Sequence, residues 1–144
     1  MSYRRHFQAL FRELEKKHGR LDKEIASAIV GFSGGGPVSL SRMEKKNIHV
    51  TCELSLYPEQ ERSAEGLRFE LLSLGAFDLE TCRVLLTAIG TLSMEATLGD
   101  GHTIDVSGVV EGGEPSRVRL SLFSRTTLDG EDYGIYEVSP VRAT

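Results

Sequence analysis

Residues 47–74 read NIHVTCELSLYPEQERSAEGLRFELLSL, and this stretch predicts two strands joined by a charged loop. Apolar and polar side chains alternate over residues 47–57, as they do in a strand that buries one face. The same alternation returns over residues 66–74. Between the two, residues 58–65 begin with proline, carry several charges and show no periodicity, which is typical of a solvated connection. We therefore expect a β-hairpin at the centre of the fold.

The register of this hairpin follows from the numbering if both strands turn their apolar residues to the same face of the sheet. The apolar positions are even in the first strand and odd in the second. Directly opposed residues should then have numbers that sum to an odd value unless a bulge intervenes. The opposite face would carry a polar patch made of His49, Thr51, Glu53, Ser55, Arg68 and Glu70. We interpret this patch as cross-strand ion pairing on a solvated face, because His49 and Glu53 would lie about 13 Å apart along the strand, too far for a direct acid–base pair.

Two main helices are predicted outside the hairpin. Apolar residues recur at three- and four-residue steps over residues 2–18, and Gly19 is placed to end that helix. A second apolar stripe follows Asp78, a good N-cap, and consists of Leu79, Cys82, Leu85, Leu86 and Ile89. Residues 21–28 are compatible with a short helical turn. Further strands are predicted over residues 28–32, 38–43, 102–110, 117–123 and 133–138.

These elements predict a single α+β domain over residues 1–144. Turns join most of the predicted strands, which favours a mainly antiparallel sheet of about six to seven strands with the two main helices packed on one face. The chain has no internal repeat and no linker long enough to divide it. A chain of 144 residues is long enough for one hydrophobic core to suffice.

The composition of the chain limits the classes of partner that we expect it to bind. A formal net charge of -4 and a pI near 5.6 argue against binding to nucleic acid, which needs a basic face. No apolar run approaches the length of a membrane span, so we expect no membrane partner and a cytoplasmic location. Cys52 and Cys82 each fall on the apolar face of a predicted element, which favours buried, reduced thiols. A disulfide between them stays open as an alternative.

The chemistry-bearing residues form no recognisable catalytic or metal-binding pattern. The four histidines are scattered over separate elements, so we predict no catalytic residue, no metal ligand and no cofactor. The glycine-rich loop at residues 33–37 lacks the Lys-Ser/Thr pair that a phosphate-binding P-loop requires. It still offers, together with a histidine after the Gly-Asp-Gly turn at residues 99–101, an alternative site for a small molecule or a small enzyme. The candidate ligand-binding residues of that alternative are Ser33, Gly35, Gly36, His102 and Asp105.

Short motifs in the middle of the chain resemble the suppressor-of-fused family, including the small bacterial domains grouped with it. The matching segments are Gly35-Gly36-Pro37, residues 48–55 (IHVTCELS), residues 69–72 (FELL) and residues 101–104 (GHTI). Glu53 stands where the family pattern prefers glycine. The resemblance implies an α+β domain that binds another protein, with bacterial members acting as immunity or regulatory proteins against toxins. It implies no catalytic residues.

The expected function is a non-enzymatic protein-binding module of an immunity or regulatory type. Two acidic segments would suit a basic protein partner, such as a nuclease, through electrostatic steering. The predicted partner-binding residues in these segments are Glu59, Glu61, Asp129 and Glu131. A homo-oligomer that buries a sheet edge is a further alternative, with residues 133–138 as the candidate edge strand.

Overall fold

The computed structural model of the protein describes residues 8–19, 21–29, 37–43 and 47–141. The helices in these ranges are α1 (Arg12–His18) and α2 (Leu79–Leu92), residues 8–10 are also helical, and a short 3-10 helix spans Leu54–Leu56. The strands are β1 (Leu21–Ile29), β2 (Pro37–Met43), β3 (Ile48–Cys52), β4 (Arg68–Leu74), β5 (Thr103–Asp105), β6 (Arg117–Leu128) and β7 (Glu131–Pro140). The predicted α+β class is confirmed. Residues 21–28 belong to a strand and not to a helical turn.

Five strands from residues 47–141 form the core of the sheet in the order β3-β4-β7-β6-β5. Antiparallel pairing of β2 with β3, and of β1 with β2, extends the sheet beyond β3. β4 and β7 run parallel, with Arg68 opposite Tyr133 and Leu72 opposite Glu137. The sheet is therefore mixed and not mainly antiparallel as predicted, because β4 and β7 form a parallel pair, and five of its seven strands lie in residues 47–141. Turn signals report only the pairing of strands that are close in sequence, and β4 and β7 are not.

Apolar clusters cover both faces of this sheet. Successive side chains of a strand point to opposite faces, and in β4 Phe69 and Leu71 belong to one cluster while Leu72 belongs to the other. The first cluster contains the buried side of α2, namely Cys82, Leu85, Leu86 and Ile89. The second contains α1 and the residues just before it, namely Leu10, Phe11 and Leu14. The two helices thus pack on opposite faces, and the prediction that both pack on one face is wrong.

The register of β3 with β4 differs from the predicted one. The opposed pairs are Ile48 with Leu74, His49 with Ser73 and Val50 with Leu72. Their numbers sum to an even value and not to an odd one. An odd sum is expected only if a single face of the hairpin is buried. Because both faces of β4 are covered, Leu72 packs with Val50 in the cluster that contains α1, while its neighbours Phe69 and Leu71 pack with α2.

The first strand of the predicted hairpin ends earlier than its alternation suggests. β3 stops at Cys52, and Glu53 then adopts a left-handed backbone conformation with φ 79° and ψ −13°. The chain continues as the 3-10 helix Leu54–Leu56. Leu54 consequently joins the cluster of α2, whereas Val50 lies in the cluster of α1. The regular alternation of apolar and polar residues over residues 47–57 therefore extends through a strand and the turn that follows it.

The hairpin of β6 and β7 turns at Asp129 and Gly130, which both have positive φ, 51° and 80°. A tight hairpin turn needs such backbone angles, and the pair Asp129-Gly130 in the sequence predicts a turn at this position. β7 lies between β4 and β6 in the sheet. The prediction that residues 133–138 form an edge strand open to a second copy of the chain is therefore wrong.

The predicted N-cap of α2 and the predicted burial of Cys82 are confirmed. Asp78 caps α2, since its carboxylate accepts a hydrogen bond from Thr81 N at 2.8 Å. Cys82 is a free, buried thiol, and burial raises its pKa to about 12. Cys52 is also free but only partly buried. None of the helices in the described ranges is long and apolar enough to cross a membrane.

Candidate functional site

Polar side chains complete the edge of β4 where β3 separates from it. The two strands pair through residues 48–50 and 72–74. At the next position, Thr51 Oγ1 accepts a hydrogen bond from Leu71 N at 2.9 Å. A buried hydroxyl thus takes the place that a carbonyl would have in a continuing strand.

Two side chains of the loop at residues 58–65 continue this edge. Gln60 Nε2 donates to Phe69 O at 2.9 Å, and Gln60 Oε1 accepts from Phe69 N at 3.1 Å. Ser63 N donates to Leu67 O at 2.9 Å, and Ser63 Oγ accepts from Leu67 N at 3.1 Å. Gln60 and Ser63 are both buried. The backbone groups that they satisfy are buried as well and therefore need hydrogen-bond partners within the protein. The loop that the sequence marked as a solvated connection is therefore partly an edge of the sheet.

Glu70 is fully buried on the same side of β4 as Leu72. Its Oε1 accepts hydrogen bonds from Thr51 Oγ1 at 2.7 Å and from Leu54 N at 3.1 Å. Its Oε2 accepts from Ser55 N at 2.8 Å and from Ser55 Oγ at 2.6 Å. The carboxyl group thereby fastens the 3-10 helix to β4. The turn at Glu53 folds the chain over Glu70, so the predicted solvated ion-pairing patch on this side of the hairpin is wrong.

The charge of Glu70 is sensitive to pH near neutrality. Burial raises the pKa of its carboxyl group to about 7, and the hydrogen bonds from Ser55, Thr51 and Leu54 act in the opposite direction. All four donors are uncharged. In the part of the chain that the structure describes, no arginine, lysine or histidine forms an ion pair with this carboxylate.

The loop at residues 58–65 is also held from the side of α2. Glu61 N donates to Ser93 O at 2.8 Å, and Ala64 N donates to Leu98 O at 2.7 Å. Ser93 follows α2 directly. These backbone bonds give the loop a fixed position beside the end of the helix.

A tyrosine of β7 anchors the far end of the same loop. Tyr136 Oη lies 2.7 Å from Ser63 Oγ and 2.5 Å from Glu65 Oε1. The Glu65 carboxylate also accepts a hydrogen bond from Asp100 N at 2.9 Å. Burial raises the pKa of Tyr136, and the hydrogen bond to Glu65 raises it further. The phenol therefore stays protonated and donates to Glu65.

Arg62 joins the two acidic segments into one surface. Its guanidinium makes two hydrogen bonds with the Glu131 carboxylate, and Nη2 donates to Oε1 at 2.6 Å. Arg68 Nε lies 3.5 Å from the same oxygen. The hydrogen bond from Arg62 is the main cause that lowers the pKa of Glu131. The loop at residues 58–65 and the turn between β6 and β7 are thus linked.

The predicted partner-binding residues on this surface differ in their exposure and in their ion pairing. Glu59, Glu61 and Asp129 are exposed. Glu131 is partly buried and paired with two arginines, so it adds little free negative charge. Glu95, which was not predicted, is exposed and lies two residues after Ser93, whose carbonyl accepts a hydrogen bond from Glu61 N. No local pattern marks that contact, since the two segments are far apart in sequence.

Two residues of the alternative ligand site, His102 and Asp105, lie in the described ranges. His102 and Asp105 are exposed at β5, and the Asp105 carboxylate accepts a hydrogen bond from Ser107 N at 2.8 Å within a turn. Hydrogen bonds from the side chain and the backbone of Ser107 lower the pKa of Asp105. Ser33, Gly35 and Gly36 lie outside the described residues.

Comparisons with known proteins give this surface no precedent. No protein-family model, no curated protein and no solved structure matches the chain. Among the described residues, no group of three or more His, Cys, Asp or Glu side chains is arranged to hold a metal ion.

Proposed function

We propose that this protein is a non-enzymatic intracellular module that binds a basic protein partner through the surface formed by the loop at residues 58–65 and the turn at residues 129–131. Its role would be of an immunity or regulatory type. The observation that carries this proposal is the pairing of Arg62 with Glu131, which brings two acidic segments of the sequence to one place.

The charge on this surface is suited to electrostatic steering. Glu59, Glu61 and Asp129 are exposed, and Glu95 adds a fourth exposed acid in the segment after Ser93, to which Glu61 is bonded. Complementary charge mainly accelerates the encounter with a partner and helps to exclude wrong partners. The chain as a whole is acidic, with a formal net charge of -4. A basic partner is therefore the chemical class that fits.

The loop is also ordered before any partner arrives. Gln60 is bonded to β4, Ser63 to the residue before β4, Ala64 to Leu98, and Glu65 accepts from Tyr136. A surface that is already in its binding conformation loses less conformational entropy on association. This arrangement favours recognition by a preformed surface.

The backbone at Glu53 supports the resemblance to the suppressor-of-fused family. The family pattern prefers glycine at this position, and Glu53 has a φ of 79°. Glycine adopts positive φ without steric cost, whereas other residues rarely do. A turn that requires this backbone conformation explains why a glycine would be preferred there. The protein-binding role proposed above agrees with what the resemblance implies.

A capture experiment with matched charge reversals tests the proposal. Glu59→Lys/Glu61→Lys reverses two charges on the proposed surface, and Glu111→Lys/Glu114→Lys makes the same change in net charge in the loop before β6. The control loop precedes the start of β6, and the 12 residues of this strand span roughly 36 Å to the turn at residues 129–130. Each variant is immobilised and exposed to lysate of the source cells at low and at moderate salt.

We expect the unmodified protein and the control variant to retain one basic protein in stoichiometric amount, and the loop variant to lose it. Retention should weaken as salt rises, because salt screens exposed charges. Retention of the same protein by all three forms, without dependence on salt, would show that the acidic surface is not the binding site.

A further inference from the structure

Glu70 is a buried acid whose hydrogen-bond partners are all neutral. Its carboxylate oxygens accept from two hydroxyl groups and two backbone amides, provided by Thr51, Leu54 and Ser55. Glu70 has no exposed surface. When it is ionised, a full negative charge lies inside the protein, and none of the residues that the structure describes places a cation beside it, which is an unfavourable state.

The surroundings of Glu70 offer little electrostatic compensation. β7 places Ile135 opposite Glu70, and the cluster on this side of the sheet takes apolar side chains from α1. Tyr133 of β7 and Arg68 of β4 lie on the same side of their strands two residues away. The Arg68 guanidinium donates to Tyr57 O at 2.9 Å and faces Glu131, so its charge is used elsewhere. His49 is a buried titratable group of β3, but it is opposed to Ser73, whose side chain points to the other face.

The four donors by themselves favour the ionised carboxylate, but burial favours the neutral form, and the protonated acid can keep the same four contacts. Ser55 Oγ lies 2.6 Å from Glu70 Oε2 and is a rotatable hydroxyl. If Oε2 carries the proton, it donates to Ser55 Oγ, and the hydroxyl hydrogen of Ser55 turns away. The bonds from Thr51, Leu54 and Ser55 N are kept. The neutral form thus keeps all four contacts and buries no charge.

We propose that Glu70 is a proton-controlled latch, which holds the segment at residues 53–56 against β4 when it is protonated and allows this segment to open when it ionises. Opening exposes the carboxylate to water, which favours the charged form. The segment leads directly into the loop at residues 58–65, since Gln60 N donates to Tyr57 O and Tyr57 N to Leu54 O. The latch stands independently of what that loop binds.

Hydrogen exchange of the Leu54 and Ser55 amides tests the latch. Both amides donate to Glu70, so their exchange reports opening of the segment. With the intrinsic pH dependence of exchange removed, we expect their protection to fall by about 10- to 100-fold between pH 5.5 and pH 8.5, because the burial that raises the pKa of Glu70 to about 7 is lost on opening. A carbon-detected titration of the Glu70 carboxyl group should show a midpoint in the same range.

Glu70→Gln is the control, because the amide side chain keeps the shape and cannot ionise. Protection of Leu54 and Ser55 in this variant should not depend on pH, while amides of α2 should behave alike in both proteins. Protection that is constant or rises with pH in the unmodified protein would overturn the latch, as would a Glu70 carboxyl group that remains ionised down to pH 5.

Discussion

The side-chain amide of Gln60 acts as the neighbouring strand for Phe69. It donates to Phe69 O at 2.9 Å and accepts from Phe69 N at 3.1 Å, and both residues are buried. An amide side chain carries one donor group and one acceptor group at its end, as a peptide unit does, so it satisfies both backbone atoms of one residue. This pair holds the loop at residues 58–65 to the sheet without any regular secondary structure in the loop.

Gln60→Ala should therefore destabilise the protein more than an average substitution. The change leaves a buried N–H and a buried C=O of Phe69 without their partner, and we expect a loss of about 2–4 kcal/mol in the free energy of unfolding. Urea unfolding followed by circular dichroism measures it. Glu61→Ala is the control, because its exposed side chain should matter little. Equal stability of the two variants would show that water replaces the Gln60 amide.

Gly134→Ala should destabilise the protein by crowding the centre of the sheet. A Cβ atom at this position would lie 2.6 Å from Leu67 Cδ1 and 3.2 Å from Ser124 O, and Leu67 is fully buried. We expect a loss of about 1–3 kcal/mol in urea unfolding, as is typical of overpacked cores. Leu67→Val removes the atom that clashes, so the double variant should be more stable than the sum of the single effects predicts. Strict additivity would contradict the proposed contact.

Local signals in the sequence predicted the elements better than their arrangement. Asp78 was recognised as a helix cap because its side chain acts on the next turn, and the turn at residues 129–130 was recognised because Asp-Gly tolerates positive φ. The parallel pairing of β4 with β7 joins residues that are far apart in sequence. No local pattern reports such pairing. The number of buried faces, and therefore the register of β3, could not be deduced without it.

Only part of the candidate site could be predicted, because local patterns in the sequence do not report contacts between distant segments. The exposed acids Glu59, Glu61 and Asp129 are recognisable from the sequence as charged loop residues. Their proximity depends on Arg62, which looked like one more solvated charge. Glu70 also looked like a surface residue, since a glutamate in an alternating strand normally faces solvent. Only the turn at Glu53, which folds the chain over it, makes Glu70 a buried group.

Glu53→Gly should stabilise the protein, although it shortens a side chain. Glu53 holds a φ of 79°, a conformation that costs a residue with a Cβ atom roughly 1–2 kcal/mol. Glycine removes this cost but gains entropy in the unfolded chain, so the net gain should be about 0.5–1 kcal/mol in urea unfolding. Glu53→Ala removes the same side chain and keeps the backbone cost, so it should give no gain. A stabilised alanine variant would assign the effect to the side chain.

The stability of the protein should fall as the pH rises from about 5 to 8 through the titration of Glu70. The pKa of this acid is raised from 4.5 to about 7 in the folded state, so the folded protein binds the proton more tightly than the unfolded chain. The stabilisation by Glu70 is fully present below the pKa that this acid has in the unfolded chain. It is lost as the pH rises through the pKa of Glu70 in the folded state. We expect it to amount to about 2–3 kcal/mol.

The comparison with Glu70→Gln isolates this effect from all other titrating groups. Urea unfolding of both proteins at pH 5 and pH 8 gives four free energies. The unmodified protein should lose more stability between the two pH values than the variant does. An equal change in both proteins would mean that Glu70 does not titrate in this range.

Arg62→Met should raise the pKa of Glu131 while leaving the unfolding midpoint in urea nearly unchanged. The guanidinium of Arg62 is the main cause of the lowered pKa, and Arg68 at 3.5 Å supplies only part of the compensation. The pair is exposed, with 49% of the Arg62 side chain and 30% of the Glu131 side chain accessible, so water screens its contribution to stability. A carboxyl titration by NMR measures the shift, and Arg62→Lys should restore it only in part because lysine lacks the planar fork that makes two parallel bonds. If Glu131 titrates at the same pH in all three proteins, Arg62 does not hold the two acidic segments together in solution, and the surface proposed for partner binding loses its structural basis.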